Sequence, residues 1–115
     1  MIIKKNQLKT EIRENMRQGE KSVSITHLAN QDQLCQKGRL FARITLEPGS
    51  SIGYHTHEGD CEIFNILSGS AEYSDNGTLT QVHAGDVLIC PKGEGHSIKN
   101  NSDCNVELTA LIIYA

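Results

Sequence analysis

The chain has 115 residues, 37% hydrophobic and 22% charged, with a formal net charge of -3; that length suits one domain with a modest core and is too short for two. A mildly acidic balance without a basic stripe gives no electrostatic ground for binding nucleic acid or an anionic membrane. Lys4 and Lys5 follow directly on Ile2-Ile3, which is neither a signal peptide nor a membrane span, so a cytoplasmic location is expected, with Cys35, Cys61, Cys90 and Cys104 reduced.

Residues 1–20 mix charge with few apolar anchors and read as an N-terminal arm, in which Lys9 to Arg17 forms a short amphipathic helical turn or an irregular stretch. Ser22-Val23-Ser24-Ile25-Thr26 alternates as a half-buried strand does, and Asn30 to Gln36 is a loop or short helix. The main β-core is expected over 38–114. Gly38 to Glu47 is a longer strand with Arg39, Phe41 and Arg43 on one face and Leu40, Ala42 and Ile44 on the other; either face can be the inner one. An inward Arg43 would offer a planar fork of donors to a substrate carboxylate, whereas an outward one is simply solvated. Pro48-Gly49 ends that strand. Asp75-Asn76-Gly77 between Ala71–Ser74 and Thr78–His83 is a strong hairpin signal. The unbroken apolar run Val87 to Cys90 reads as a buried strand, the loop Pro91 to Gly95 delivers His96, and Val106 to Tyr114 closes the chain. Many short strands with turns at close intervals predict one all-β domain, a barrel or a sandwich, over 1–115.

The chemistry concentrates at 49–69. On an extended strand His55 and His57 point the same way with Cα atoms about 6.6 Å apart, so two imidazoles can converge on one ion. Glu62 lies at an odd offset from His57 and faces the same side only if the strand breaks between them. Glu58-Gly59-Asp60 supplies a turn there, Gly59 tolerating positive φ. Phe64 and Ile66 then share the face of Glu62. Three imidazoles, His96 being the third, and one carboxylate form a credible ligand set for a divalent metal at about 2.0 to 2.2 Å. The ligand set carries a single negative charge, so a site of this kind favours an anionic substrate.

The spacings Gly49-(x)5-His55-x-His57-(x)4-Glu62-(x)6-Gly69 and Gly85-(x)5-Pro91-x-Gly93-(x)2-His96-(x)3-Asn100 resemble both motifs of the cupin superfamily, with every signature position filled. The resemblance implies a small antiparallel double-stranded β-helix, or jelly-roll barrel, with a metal ion near one mouth held by His55, His57, Glu62 and His96. It implies one divalent transition metal per subunit, manganese, iron, nickel, zinc or copper. It also implies a homodimer, to which Met1 to Lys5 contributes a strand paired with the neighbouring subunit. The fold leaves the activity open. Decarboxylase-like or dioxygenase-like action on a small carboxylate or oxygen-rich metabolite is expected first, with isomerase chemistry within the family's range; the alternative is a non-catalytic sugar- or carboxylate-binding or sensory module with a structural metal.

Other residues are weaker candidates. Cys61 sits one residue before Glu62, but strand alternation lets only one of the pair face inward, and Glu62 is the type the pattern expects. Glu58 and Asp60, in the expected turn, are solvated or else deliver a proton to a decarboxylated intermediate. Tyr54 and Tyr73 either donate to a ligand or pack, and His27 and His83 read as surface histidines. Gly93-Glu94-Gly95 lacks the Gly-Lys-Ser/Thr continuation of a phosphate loop, and no His-Glu-x-x-His occurs.

Overall fold

Alternating side chains and frequent turn residues produce ten strands in the computed structural model, which describes residues 1–115. They are β1 (Lys9–Glu14), β2 (Ser22–Ala29), β3 (Gly38–Leu46), β4 (Ser51–Thr56), β5 (Asp60–Ser68), β6 (Ser70–Asp75), β7 (Thr78–His83), β8 (Val87–Cys90), β9 (Gly95–Lys99) and β10 (Val106–Tyr114), with short 3-10 turns at Lys5–Gln7 and Met16–Gln18. One sheet has the order β1-β2-β3-β10-β5-β8 and the other β4-β9-β6-β7. All pairings are antiparallel. The result is an open two-sheet jelly roll, so the expected closed barrel is corrected: each sheet keeps two free edges. No helix is long and apolar enough to cross a membrane.

The core lies between the sheets. Ile25, Ile44, Phe64 and Leu108 from the six-stranded sheet meet Ile52, Tyr73 and Ile98 from the other, and all are buried. At about 25 cal/mol per Å² of apolar surface removed from water, such residues carry most of the stabilisation. Just beyond β9 the buried Asn100 ties turn to sheet. Its amide donates to the carbonyls of Leu46 and Cys104, both at 2.8 Å, and its oxygen accepts from Ser102.

The β3 faces are now fixed. Ala42, Ile44 and Leu46 point inward, and Arg43 lies on the opposite face, in register with Thr26 and Thr109. Arg39 departs from this alternation. Leu40 pairs with Ile112 and Gly38 with Ile113, leaving Arg39 as the extra residue of a bulge, a device that re-aims a side chain.

Three further expectations are corrected. Lys9 to Arg17 contains a strand, β1, paired with β2 from Lys9↔His27 to Glu14↔Ser22. It lacks apolar anchors because it is an edge strand with Ile12 exposed. Asp60 begins β5 instead of lying in the turn, which narrows to His57–Gly59, Gly59 at φ 78°. Val87–Cys90 is the other edge of the same sheet; only Leu88 and Cys90 are buried, Val87 and Ile89 being more than half exposed. An apolar run reports affinity for a sheet but not which faces are covered. The hairpin forms where expected, with Asn76 at φ 50° and Gly77 at φ 100°.

Candidate metal centre

The four expected ligands come from both sheets. His55 on β4 stands directly across from His96 on β9, His57 follows β4, and Glu62 lies on β5, between Ile112 and Cys90 in the pairing. An extra residue on β4 between Ile52 and His55 sets the histidine pair in register. The loop before β9 zips onto His57: its N–H donates to the Glu94 carbonyl at 3.0 Å and its carbonyl accepts from the Gly93 N–H at 2.7 Å.

The ligand atoms all lie within 4.8 Å of one another. Nε2 of His96 is 3.1 Å from Nε2 of His57, 3.2 Å from Nε2 of His55 and 3.0 Å from Oε1 of Glu62. Oε1 of Glu62 is 3.2 Å from Nε2 of His57 and 3.8 Å from that of His55. Ligands about 2.1 Å from an ion and at right angles to one another are about 3 Å apart, so these separations fit a single divalent ion.

The outer nitrogens support the same conclusion. Nδ1–H of His55 donates to the Gly53 carbonyl at 2.8 Å, and Nδ1–H of His57 donates to Oδ1 of Asp60 at 2.7 Å. Nδ1 of His96 is 2.8 Å from the Tyr73 hydroxyl. Donation outward leaves the Nε2 lone pairs of His55 and His57 facing the centre, the tautomer metal ligation needs, and the Tyr73 hydroxyl can accept from His96 in the same way. Phe64 stacks on the His96 ring at 5.1 Å and 19°.

Burial pushes the Glu62 carboxyl up, but the favourable contacts of the surrounding His55, His57 and His96 imidazoles outweigh it and hold Glu62 far below the usual carboxylate range. The hydrogen bond to Glu62 raises His57, helped by Asp60 and opposed by burial. For His96 burial prevails and lowers it. Asp60 is likewise pushed up by burial but drawn down further by hydrogen bonds from Arg39 and His57. Burial raises Tyr73 and keeps it protonated, and pushes the Cys90 thiol up to about 11, so it is no thiolate ligand.

A cavity of about 120 Å³ opens onto His55, His57 and Glu62. It is small beside the 300–1,000 Å³ of drug-sized ligand pockets. Arg13, Arg17 and Arg39 line it together with His27; Arg43, the chain's only other arginine, does not. Nor does Tyr54, half exposed on β4, whose ring packs over Gly95. Glu58 is exposed and also outside the cavity, and Cys61 is half-buried on the face opposite Glu62. Asp60 accepts from Arg39 at 2.9 Å as well as from His57, and so braces a ligand imidazole. His27, expected at the surface, is half-buried and bonded to Glu11 at 2.9 Å; His83 is exposed.

The sequence matches the profile of the family described as "Cupin domain" over residues 42–114. The chain belongs to the cupin family. This cupin is 42% identical over 113 residues to a Thermotoga maritima protein named oxalate-binding protein, covering 98% of this chain and 93% of that one. Its fold superposes with a TM-score of 0.95, at 41% identity and full coverage of both chains, on the crystal structure of a "predicted oxalate decarboxylase" from Thermotoga maritima. A sugar phosphate isomerase of Silicibacter pomeroyi, 18% identical, shares the fold with a TM-score of 0.78 over all of this chain and 76% of that one.

Arg13, Arg17, Arg39 and His27 were not foreseeable as cavity residues. The two arm arginines sit in no motif, and Arg39 is aimed by a bulge that a period-two reading cannot show. A signal did exist for the partners of the imidazoles: Asp60 and Tyr73 are residue types that hold metal-bound histidines, but only the fold brings them within reach.

Proposed function

We propose that this cupin takes a small carboxylate, oxalate foremost, at a divalent transition-metal ion held by His55, His57, Glu62 and His96. One observation carries the reading: the cavity opens onto three of these four side chains, whereas a purely structural ion is closed off by protein. The name of the Thermotoga relative, oxalate-binding protein, supplies oxalate as the first candidate. A bound ion supplies Lewis-acid polarisation of a carboxylate oxygen. The chain's own residues orient the imidazoles from outside, hold Glu62 ionised and keep apolar walls around the ligand.

Turnover, decarboxylase-like or dioxygenase-like, and binding without turnover share this site. The second is favoured by the acids present: Glu62 is the only carboxylate lining the cavity, and it is a ligand. Asp60 is engaged by both His57 and Arg39. Incubating Mn(II)- or Fe(II)-loaded protein with a panel of small acids, followed by carbon NMR and calorimetry, separates the two. Formate and carbon dioxide from oxalate select the decarboxylase; saturable binding with oxalate unchanged selects the binding protein. Neither binding nor turnover of any acid sinks the proposal.

A homodimer in the cytoplasm is part of the same reading. The dimer is supported by an apolar row across the outer face of the larger sheet, Ile89, Ile63, Leu111 and Phe41, neighbours in register on four successive strands. Sedimentation showing only monomer removes the dimer and leaves the site untouched.

A further inference from the structure

The cavity beside the metal centre draws its positive charge from an unexpected place. The chain is acidic overall and contains only four arginines, yet Arg13, Arg17 and Arg39 all line this one cavity, and no lysine does. Arginine rather than lysine is the side chain whose planar fork matches a carboxylate. Two of these guanidiniums already have carboxylate partners: Arg39 is held by Asp60 at 2.9 Å, and the exposed Arg13 meets Glu11 at 3.0 Å. Arg17 has none.

The backbone that presents them is also unusual. Asn15, Arg17 and Gln18 all adopt positive φ, at 51°, 54° and 65°, a region L side chains avoid and that persists only where surrounding structure enforces it. Two glycines supply the seat. The Arg17 carbonyl lies where a side chain on Gly53 would be, and Gly19 lies equally close to the Ser51 carbonyl. Hydrogen bonds fasten the segment: Ser51 N–H to the Glu20 carbonyl at 3.0 Å, Glu20 N–H to the Ser51 hydroxyl at 2.8 Å, and the Asn15 amide to the Gly19 carbonyl at 3.1 Å. Gly53 is the same residue whose carbonyl orients His55. The arm is therefore docked against the metal centre, with its arginines at the cavity.

We infer that Arg13 and Arg17 bind the second anionic group of a short dicarboxylate whose first group sits at the His55, His57, Glu62 and His96 site, making the N-terminal arm the specificity element of this cupin. The inference rests on the small-carboxylate reading above and assigns the residues that select a dianion over a monoanion. A cavity of about 120 Å³ matches a ligand of this size, and arginine forks lining the same cavity as the metal ligands offer a second contact that a monocarboxylate cannot use.

The test uses the full chain loaded with Mn(II), titrated calorimetrically with oxalate and with formate, for the unaltered protein, Arg13→Gln and Arg17→Gln. Loss of a charge-assisted contact is expected to weaken oxalate about tenfold or more in each variant, with formate and Mn(II) affinities within about twofold of the parent. Both side chains are exposed, and retained formate binding is the control for folding. Oxalate binding that neither variant weakens overturns the arginine assignment and leaves the carboxylate reading standing, as does an equal loss of oxalate and formate. Mn(II) uptake by the parent with no binding of either acid overturns both.

Discussion

Each imidazole of the centre can be ligating only because its other nitrogen is engaged. Asp60 performs this for His57 from two residues before Glu62, and is itself steadied by Arg39. Asp60→Asn removes the negative charge that favours an Nδ1 proton on His57, and metal affinity is expected to fall about 10- to 100-fold with little change in fold; competition against a chromophoric chelator measures it. Protons compete with the ion for the same nitrogens. His57 is raised above the ordinary 6.5 by its bond to Glu62 and takes up a proton on acidification before His96, which burial lowers. Metal affinity is therefore expected to begin falling above pH 6.5 and to steepen toward pH 5. Constant affinity from pH 8 to pH 5 would rule out ligation by these histidines. His55, His57 and Glu62 were legible as ligand candidates because spacing and strand alternation are local properties, and His96 because the second cupin-like motif supplies it from far downstream. Asp60 as a brace was not, because its role depends on β5 starting one residue after Gly59.

At the scale of the elements, the hairpin at Asn76-Gly77 and the limits of β10 could be read directly, since turn chemistry and alternation specify them. The arm could not. β1 earns its place through edge pairing with β2 and a hydroxyl contact between Thr10 and Thr26 at 2.8 Å, neither of which leaves an apolar period. Its continuation depends on two distant glycines. Gly53→Ala places a methyl group against the Arg17 carbonyl, and overpacking of this kind is expected to destabilise the fold by about 1–3 kcal/mol. Chemical denaturation measures the loss, and trypsin cleavage at Arg13 and Arg17 should accelerate as the arm lifts. A Gly53→Ala chain as stable and as protease-resistant as the parent would show that the arm is not seated on β4.

For the molecule as a whole, the centre joins the two sheets: His55 and His96 belong to the smaller, Glu62 to the larger. An ion bound there adds a link between surfaces that meet mainly through apolar packing, and it favours the folded state, which alone assembles the four ligands. At a hundredfold excess over its dissociation constant it should add about 2.7 kcal/mol, raising the melting temperature by roughly 10 °C for a domain of this size. Melting followed with and without a chelator tests this; identical curves would mean that no ion is held between the sheets. The outer side of the larger sheet has a different consequence. β8 is a free edge with Val87 and Ile89 uncovered, the kind of strand that templates unwanted stacking of chains. It is only four residues long, and Pro91, immediately after it, has no N–H to offer an incoming strand. Strand brevity and that proline together leave an approaching chain little ladder to join, so the margin is poorly suited to seeding stacked assemblies.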